Sequence, residues 1–230
     1  MKLTWLGQAG FLFEADGKKI LIDPYLSDNV KNFEPQNARR KPIDEAFLSI
    51  RPDVILITHN HLDHLDKETL KYYLTPDSEA IVLCPNGGYQ ELRKTYPDTK
   101  CNYVLFNAGT EWTEGDVRFR AVKAEHSDPY AIGIILTVEG KNYYVTGDTL
   151  YSEAVFESLP NVDLFAVLLP CNGRGNNMNM QDASRFAART GAKYAVPVHI
   201  GMFDDFTDEA FAHPNKITPM IYREIEFPNT

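Results

Sequence analysis

Long apolar runs are missing from this chain, and so is any excess of positive charge. No stretch approaches the about 20 apolar residues that a membrane-spanning helix needs. The opening residues Met1 to Gln8 also lack a basic segment feeding an apolar one, so a cytoplasmic protein without a membrane partner is expected. Lys and Arg number 23 against 32 Asp and Glu, a formal net charge of −9. Nucleic acid is recognised through clustered cations that displace counterions, and this chain lacks them; no nucleic-acid partner is expected. The strongest basic cluster, Arg39, Arg40 and Lys41, reads as a solvated loop before Pro42. Cysteine is scarce too. Cys84, Cys101 and Cys171 are odd in number and lack C-x-x-C spacing, which excludes a disulfide framework and a thiolate zinc knuckle and leaves reduced thiols. Repeats, low-complexity tracts and linkers are absent as well. The 230 residues therefore read as one domain, 1–230, large enough to bury a sizeable core.

What is present is a regular succession of short apolar segments. Residues 3–6, 11–15 and 19–23 alternate and are separated by turns, among them Asp16-Gly17, which predicts consecutive antiparallel strands ending at Asp23-Pro24. A short helix is predicted to start near Pro42. The run from Val54 to Ile57 is apolar throughout, as expected of a strand covered on both faces. Asp66 is placed to cap a helix over 67–74, and a strand over 80–84 and a helix over 88–95 follow. Strands dominate 103–147, with turns at 114–116 and 139–141. A helix near 151–158, a strand over 163–168, a Gly/Asn-rich loop over 172–179, a helix over 181–190 and a strand over 193–198 complete the pattern. Such an order suggests an α/β architecture of two packed sheets with helices outside. Polar residues gather in the loops after strands, where sites form on a rigid scaffold.

The densest of these loops is His59-Asn60-His61-Leu62-Asp63-His64, directly after the apolar run. Neutral imidazole nitrogens and carboxylate oxygens are the donors that first-row divalent cations take. In an extended loop, His59 and His61 point the same way and can approach one ion, while Asp63 and His64 face a second position. Further donors stand at the ends of apolar strands: His126, Asp148 and His199. For Asp148, capping a helix near Tyr151 is the alternative reading.

The series H-x-H-x-D-H, then His, Asp and His in order, resembles the metallo-β-lactamase superfamily. Trp5 to Phe11, Ile22 to Ser27 and Pro197 to Gly201 resemble its L-ascorbate-6-phosphate lactonase-like branch. The resemblance implies a four-layer αβ/βα sandwich of two mixed β-sheets with helices on the outer faces. It implies two divalent metal ions, with His59, His61 and His126 on the first, Asp63, His64 and His199 on the second, and Asp148 bridging. Zinc or manganese is expected; flavodiiron relatives carry Glu where this chain has His61, so iron is a weaker expectation. Asp23 resembles a carboxylate that orients a ligand-bearing loop, with a plain turn as its alternative; Asp128 admits the same two readings. His213 is left as a solvated loop residue.

The activity implied is hydrolysis of a small-molecule ester or lactone, with Asp63, His61 and Asp148 indispensable and Asp63 accepting a proton from water. A small-molecule phosphodiesterase, or a non-catalytic metal-binding protein, is the alternative. The sugar-lactonase members are longer, so ascorbate phosphate itself is not expected as substrate. Gln8, Asn172, Arg174 and Asn179 are candidate substrate contacts, Arg174 because its forked donor suits phosphate or carboxylate; a solvated Gly/Asn turn is the alternative for the 170–179 loop. Self-association into a homo-oligomer is left open.

Overall fold

The structure, a computed structural model, describes residues 1–228. Its first sheet is built from β1 (Lys2–Gly7), β2 (Gly10–Ala15), β3 (Lys18–Ile22), β4 (Val54–Leu56), β5 (Ile81–Cys84), β6 (Asn102–Leu105) and the short β13 (Arg223–Glu224). The order is β13-β1-β2-β3-β4-β5-β6. Neighbours are antiparallel up to β3 and parallel from β3 to β6. The second sheet holds β7 (Glu111–Glu114), β8 (Val117–Lys123), β9 (Ile132–Val138), β10 (Lys141–Val145), β11 (Leu164–Pro170) and β12 (Tyr194–Val198). Here the order is β12-β11-β10-β9-β8-β7, with the last two sequential pairings, β10 to β12, parallel. Both sheets are mixed.

Alternation within the strands sorts side chains into three apolar layers. Phe11, Phe13, Ile20, Ile22, Val54 and Leu56 face Phe119, Ile134, Leu136, Val145, Leu168 and Val196 between the sheets. Leu12, Leu21, Ile55 and Ile57 pack outward with Leu70 of α1 (Lys67–Leu70) and Leu92 of α2 (Asn86–Thr95). On the opposite outer face, Ile135, Tyr144, Val167 and Leu169 meet Val155 of α3 (Glu153–Ser158) and Phe186 and Ala187 of α4 (Met180–Thr190). The expected four-layer sandwich is therefore present. The unbroken apolar run of β4 has its cause in this arrangement, since alternate residues serve the inner and the outer layer.

Local departures from the sequence reading follow from capping and length. The segment after Pro42 forms a 3-10 helix over Glu45–Ser49, started by Asp44, whose carboxylate accepts Ala46 N–H at 3.1 Å. It does not become an α-helix. The helix expected over 67–74 is α-helical only for Lys67–Leu70, although Asp66 caps it as expected by accepting Glu68 N–H at 3.2 Å; turns continue to Leu74 through Leu74 N–H to Leu70 O at 2.8 Å. Ser152, not Asp148, stands at the N-terminus of α3.

Candidate metal centre

Loops that follow the strands carry the polar residues that meet. After β4, the chain turns back on itself through His64 N–H to His61 O at 3.0 Å and Leu65 N–H to His61 O at 2.8 Å. This turn is tied to the neighbouring β3 end by Asp23, which is fully buried. Its Oδ1 accepts Thr58 N–H at 2.8 Å, and its Oδ2 accepts the Thr58 hydroxyl and lies 2.8 Å from His64 Nδ1. Asp23 itself adopts φ 43°, a left-handed conformation that Asp tolerates better than most residues. The Asp23 expectation thus resolves to the orienting role. Asp128 does both things foreseen for it: it accepts Tyr130 N–H at 2.8 Å within its own turn and Asn60 N–H at 3.1 Å from the histidine loop.

His126 follows β8, Asp148 follows β10, and His199 follows β12. Gly147 delivers Asp148 at φ 60°, where an added Cβ would stand 2.7 Å from Ile132 O. His199 at φ 63° is held by its N–H to Gln8 O at 3.1 Å. Three donor groups result: His59, His61 and His126; His59, His64 and Asp148; and Asp63, His64 and His199, with one donor atom from each residue lying within 4.8 Å of the others in its group. All seven residues are brought together. His213 is elsewhere, its Nδ1 accepting Asn215 N–H at 3.2 Å.

Each imidazole has one nitrogen engaged at the periphery and the other turned inward. His59 Nδ1 meets the Thr58 hydroxyl at 3.1 Å, His64 Nδ1 meets Asp23, and His126 Nδ1 meets Asn176 O at 3.2 Å. His61 Nε2 meets the Ser127 hydroxyl at 3.2 Å, and its Nδ1 lies 3.2 Å from His126 Nε2. Outer partners of this kind fix the ring and direct the remaining lone pair. The inward atoms His59 Nε2, His64 Nε2 and Asp148 Oδ1 are buried and have no hydrogen-bond partner among the described residues. Leaving a buried polar atom unsatisfied costs about 1–3 kcal/mol, so three together within one cluster call for a partner that protein atoms do not supply. A divalent cation fits: the donors are nitrogen and oxygen, they converge, and their outer atoms are already oriented.

Electrostatics agree with that fit. Burial pushes the His59 and His126 imidazoles below their ordinary value. Burial acts in the same direction on His64 and His199 but is outweighed by Asp148 and Asp63, so both are raised, His199 to about 10. His199 Nε2 lies 3.2 Å from Asp148 Oδ2 and 3.3 Å from Asp63 Oδ2. Conversely, burial would raise the Asp63 and Asp148 carboxyls, and the same imidazoles hold them below the usual range. Protein alone balances this cluster with protons, which a cation would displace as it took the nitrogens.

A pocket of about 390 Å³ opens over the cluster, lined by Gln8, His61, Asp63, Asp148 and His199 together with Glu34, Asn37, Asn172, Arg174 and Asn177. Arg174 is the only Lys or Arg among the described residues that line it, with the guanidinium stacked 4.6 Å over Phe206. Asn172 Nδ2 lies 2.9 Å from His199 Nδ1. Gln8, almost fully buried, lines the pocket and donates Nε2–H to Asp63 Oδ2 at 2.8 Å. Asn179 is not among the lining residues; its Oδ1 accepts Asp182 N–H at 2.9 Å and starts α4. Sequence reasoning missed Asn177, whose Nδ2–H reaches Asp148 Oδ2 at 2.7 Å, and Ser127. The Gly/Asn-rich composition marked the first loop, but nothing in it identified which amide turns inward.

Comparison with known proteins places this geometry in company. The profile of the β-lactamase superfamily domain matches residues 18–200. A UPF0173 protein of Pyrococcus furiosus is 32% identical over 213 residues, covering 92% of this chain and 89% of the relative. A UPF0173 metal-dependent hydrolase of Carboxydothermus hydrogenoformans is 32% identical over 216 residues, covering 86% and 84%. Among solved structures, an isothiocyanate hydrolase from Delia radicum gut bacteria superposes with a TM-score of 0.74 at 19% identity, covering 99% of both chains. CmlA, a diiron β-hydroxylase from Streptomyces venezuelae, gives a TM-score of 0.75 at 16% identity over 98% of this chain and 54% of that one. Neighbours so different in chemistry share the fold alone.

Proposed function

The chain belongs to the β-lactamase superfamily, and we propose that within it this protein is a metal-dependent hydrolase that opens a small ester or lactone with the help of two divalent cations, zinc or manganese. The observation that carries this reading is the trio of inward, partnerless donors His59 Nε2, His64 Nε2 and Asp148 Oδ1, of which Asp148 lines a solvent-connected pocket beside His61, Asp63 and His199. His59, His61 and His126 would hold one cation, Asp63, His64 and His199 the other, and Asp148 both. When bound, such ions supply Lewis-acid activation of water and of the scissile carbonyl. A cytoplasmic location and a small soluble substrate belong to this proposal; among the described residues no helix is long and apolar enough to cross a membrane.

The chain's own residues divide the remaining work. Asp63, kept ionised by His64 and His199 and steadied by Gln8, orients the attacking water and accepts its proton. The water oxygen bonds to the carbonyl carbon, the bond from that carbon to the alkoxide oxygen breaks, and the alkoxide leaves with the proton Asp63 took up. Acid and alcohol are the products. Arg174 and Asn172, on the pocket wall, receive the part of the substrate that does not react, and the forked guanidinium favours a carboxylate or phosphate there. The ester or lactone assignment draws on the resemblance of Trp5 to Phe11, Ile22 to Ser27 and Pro197 to Gly201 to lactonase-like sequences.

A panel of lactones, carboxylic esters and phosphodiesters, each offered to zinc-loaded and manganese-loaded protein, tests the reading. Turnover of a lactone or ester that disappears in Asp63→Ala and on chelation is the expected result. Turnover of phosphodiesters alone would replace the substrate class while keeping the site; binding of metal with no turnover of any class would leave a metal-binding protein.

A further inference from the structure

We infer that Asn177 is a positioning residue that sets the rotation of the Asp148 carboxylate, and that the 172–177 loop carrying it steadies two of the seven inward-facing side chains, Asp148 and His126, at once. This rests on the metal-site reading above. The loop joins β11 to α4 and is closed on itself. Asn172 bridges Asn179, Gly173 N–H bonds Met178 O at 2.9 Å, and Asn177 N–H bonds Arg174 O at 3.1 Å. Gly173, Gly175 and Asn176 take φ values of 65°, 61° and 61°, conformations for which Gly and Asn are suited.

From this frame the loop reaches three separate strand ends. The Asn176 carbonyl lies 3.2 Å from His126 Nδ1, the Asn172 amide 2.9 Å from His199 Nδ1, and Asn177 Nδ2 2.7 Å from Asp148 Oδ2. The orientation of the Asn177 amide is determined on both sides. Its Oδ1 accepts Thr149 N–H at 3.0 Å, which leaves Nδ2 for the carboxylate and no choice between the two ends.

The consequence lies at Asp148. Rotation of a carboxylate about its last torsion is broad unless something fixes it. With Oδ2 held by Asn177, near His199 Nε2 at 3.2 Å and His126 Nε2 at 4.0 Å, Oδ1 is left facing His64 Nε2 at 3.4 Å. Oδ2 is thereby turned toward His199 and His126 and Oδ1 toward His64, so the rotation decides which imidazoles each oxygen meets. Without the Asn177 donor, nothing else on the side chain's far side selects that rotation, since the other atoms near it are prospective ligands.

Asn177→Leu tests this, because it keeps the side-chain volume and removes the donor; Asn177→Ser serves if the leucine variant does not fold. Metal-free protein is titrated with Co²⁺ against a competing chelator while the visible absorption of the bound ion is recorded. Wild-type protein is measured first, and failure of it to bind Co²⁺ overturns the metal-site reading itself. Given wild-type binding, the variant is expected to bind about 10- to 100-fold more weakly, with an altered absorption band. Asn179→Ala, which removes the α4 cap in the same loop and touches none of the seven groups, is expected to lower the melting temperature and leave affinity and band within twofold of wild type. Unchanged affinity and spectrum in Asn177→Leu, or equal losses in Asn177→Leu and Asn179→Ala, overturns the inference.

Discussion

Replacing Asp23 separates the fold's stability from the site's metal affinity. Its carboxylate is fully buried and serves Thr58 N–H, the Thr58 hydroxyl and His64 Nδ1. Asp23→Asn preserves the shape and tolerates the left-handed backbone, and its remaining oxygen can still take Thr58 N–H. The new amide N–H₂ then faces His64 Nδ1. The threonine hydroxyl can rotate away, but the imidazole can relieve the clash of donors only by moving its proton to Nε2, the atom aimed at Asp148. A nitrogen carrying a proton is not a ligand. Metal affinity is therefore expected to fall about 10- to 100-fold, while the metal-free protein loses about 1–3 kcal/mol. Asp23→Ala leaves Thr58 N–H and His64 Nδ1 both unsatisfied and adds the cost of Ala in a left-handed conformation, together about 3–8 kcal/mol. That is a large share of the about 5–15 kcal/mol available to a domain. Chelator-competition titration with zinc and urea unfolding of the metal-free protein read the two effects separately. Asp23→Asn protein that binds zinc as tightly as wild type would refute the reasoning, whatever its stability.

Metal removal should lower the melting temperature, because a ligand bound only by the folded state adds RT ln(1 + [L]/Kd) to stability; differential scanning calorimetry with and without chelator reads the shift. Gly147→Ala, at φ 60° and with Ile132 O 2.7 Å from the new Cβ, should destabilise the fold by about 1–3 kcal/mol and weaken metal binding by displacing Asp148, measured by urea unfolding and titration. Arg174→Ala should raise KM for anionic substrates about tenfold or more and leave neutral ones nearly unchanged, since the lost interaction is charge-assisted. Thiol labelling should distinguish the cysteines: Cys171, its thiol pushed up to about 12 by burial, and the buried Cys84 should react only after unfolding, whereas the half-buried Cys101 reacts in the native protein. Linkage gives the sign of the accompanying pH effect. The folded state keeps the Cys171 proton that an unfolded thiol releases near pH 9, so this group's stabilisation is complete below that pH and is lost as pH rises toward 12.

The parts of the site that were legible in the sequence are those that a strand end places by itself. His59 to His64 follow an apolar run whose burial on both faces was evident from its composition, and His126, Asp148 and His199 each follow another strand of apolar character. Their order also carries the family resemblance. Of the partners that orient them, Asp23 was foreseen from the resemblance, whereas Gln8 on Asp63 and Asn177 on Asp148 were not legible, because each is a contact between loops distant in sequence. Only the packing of the two sheets decides which amide of a Gly/Asn-rich loop turns inward. The fold was readable at the level of layers for the same reason. Its short elements were less so: the segment after Pro42 contains Asp44, whose cap supports one tight 3-10 stretch, and the two-residue β13 exists only because it pairs with β1.

Anomalous diffraction from crystals grown with zinc, and separately with manganese, puts the central claim to its most direct test. The account predicts two peaks about 3.5–4 Å apart, one bounded by His59, His61 and His126, the other by Asp63, His64 and His199, with Asp148 between them. Absence of anomalous density from this cluster, with the imidazoles of His59 and His64 still turned inward, would contradict it.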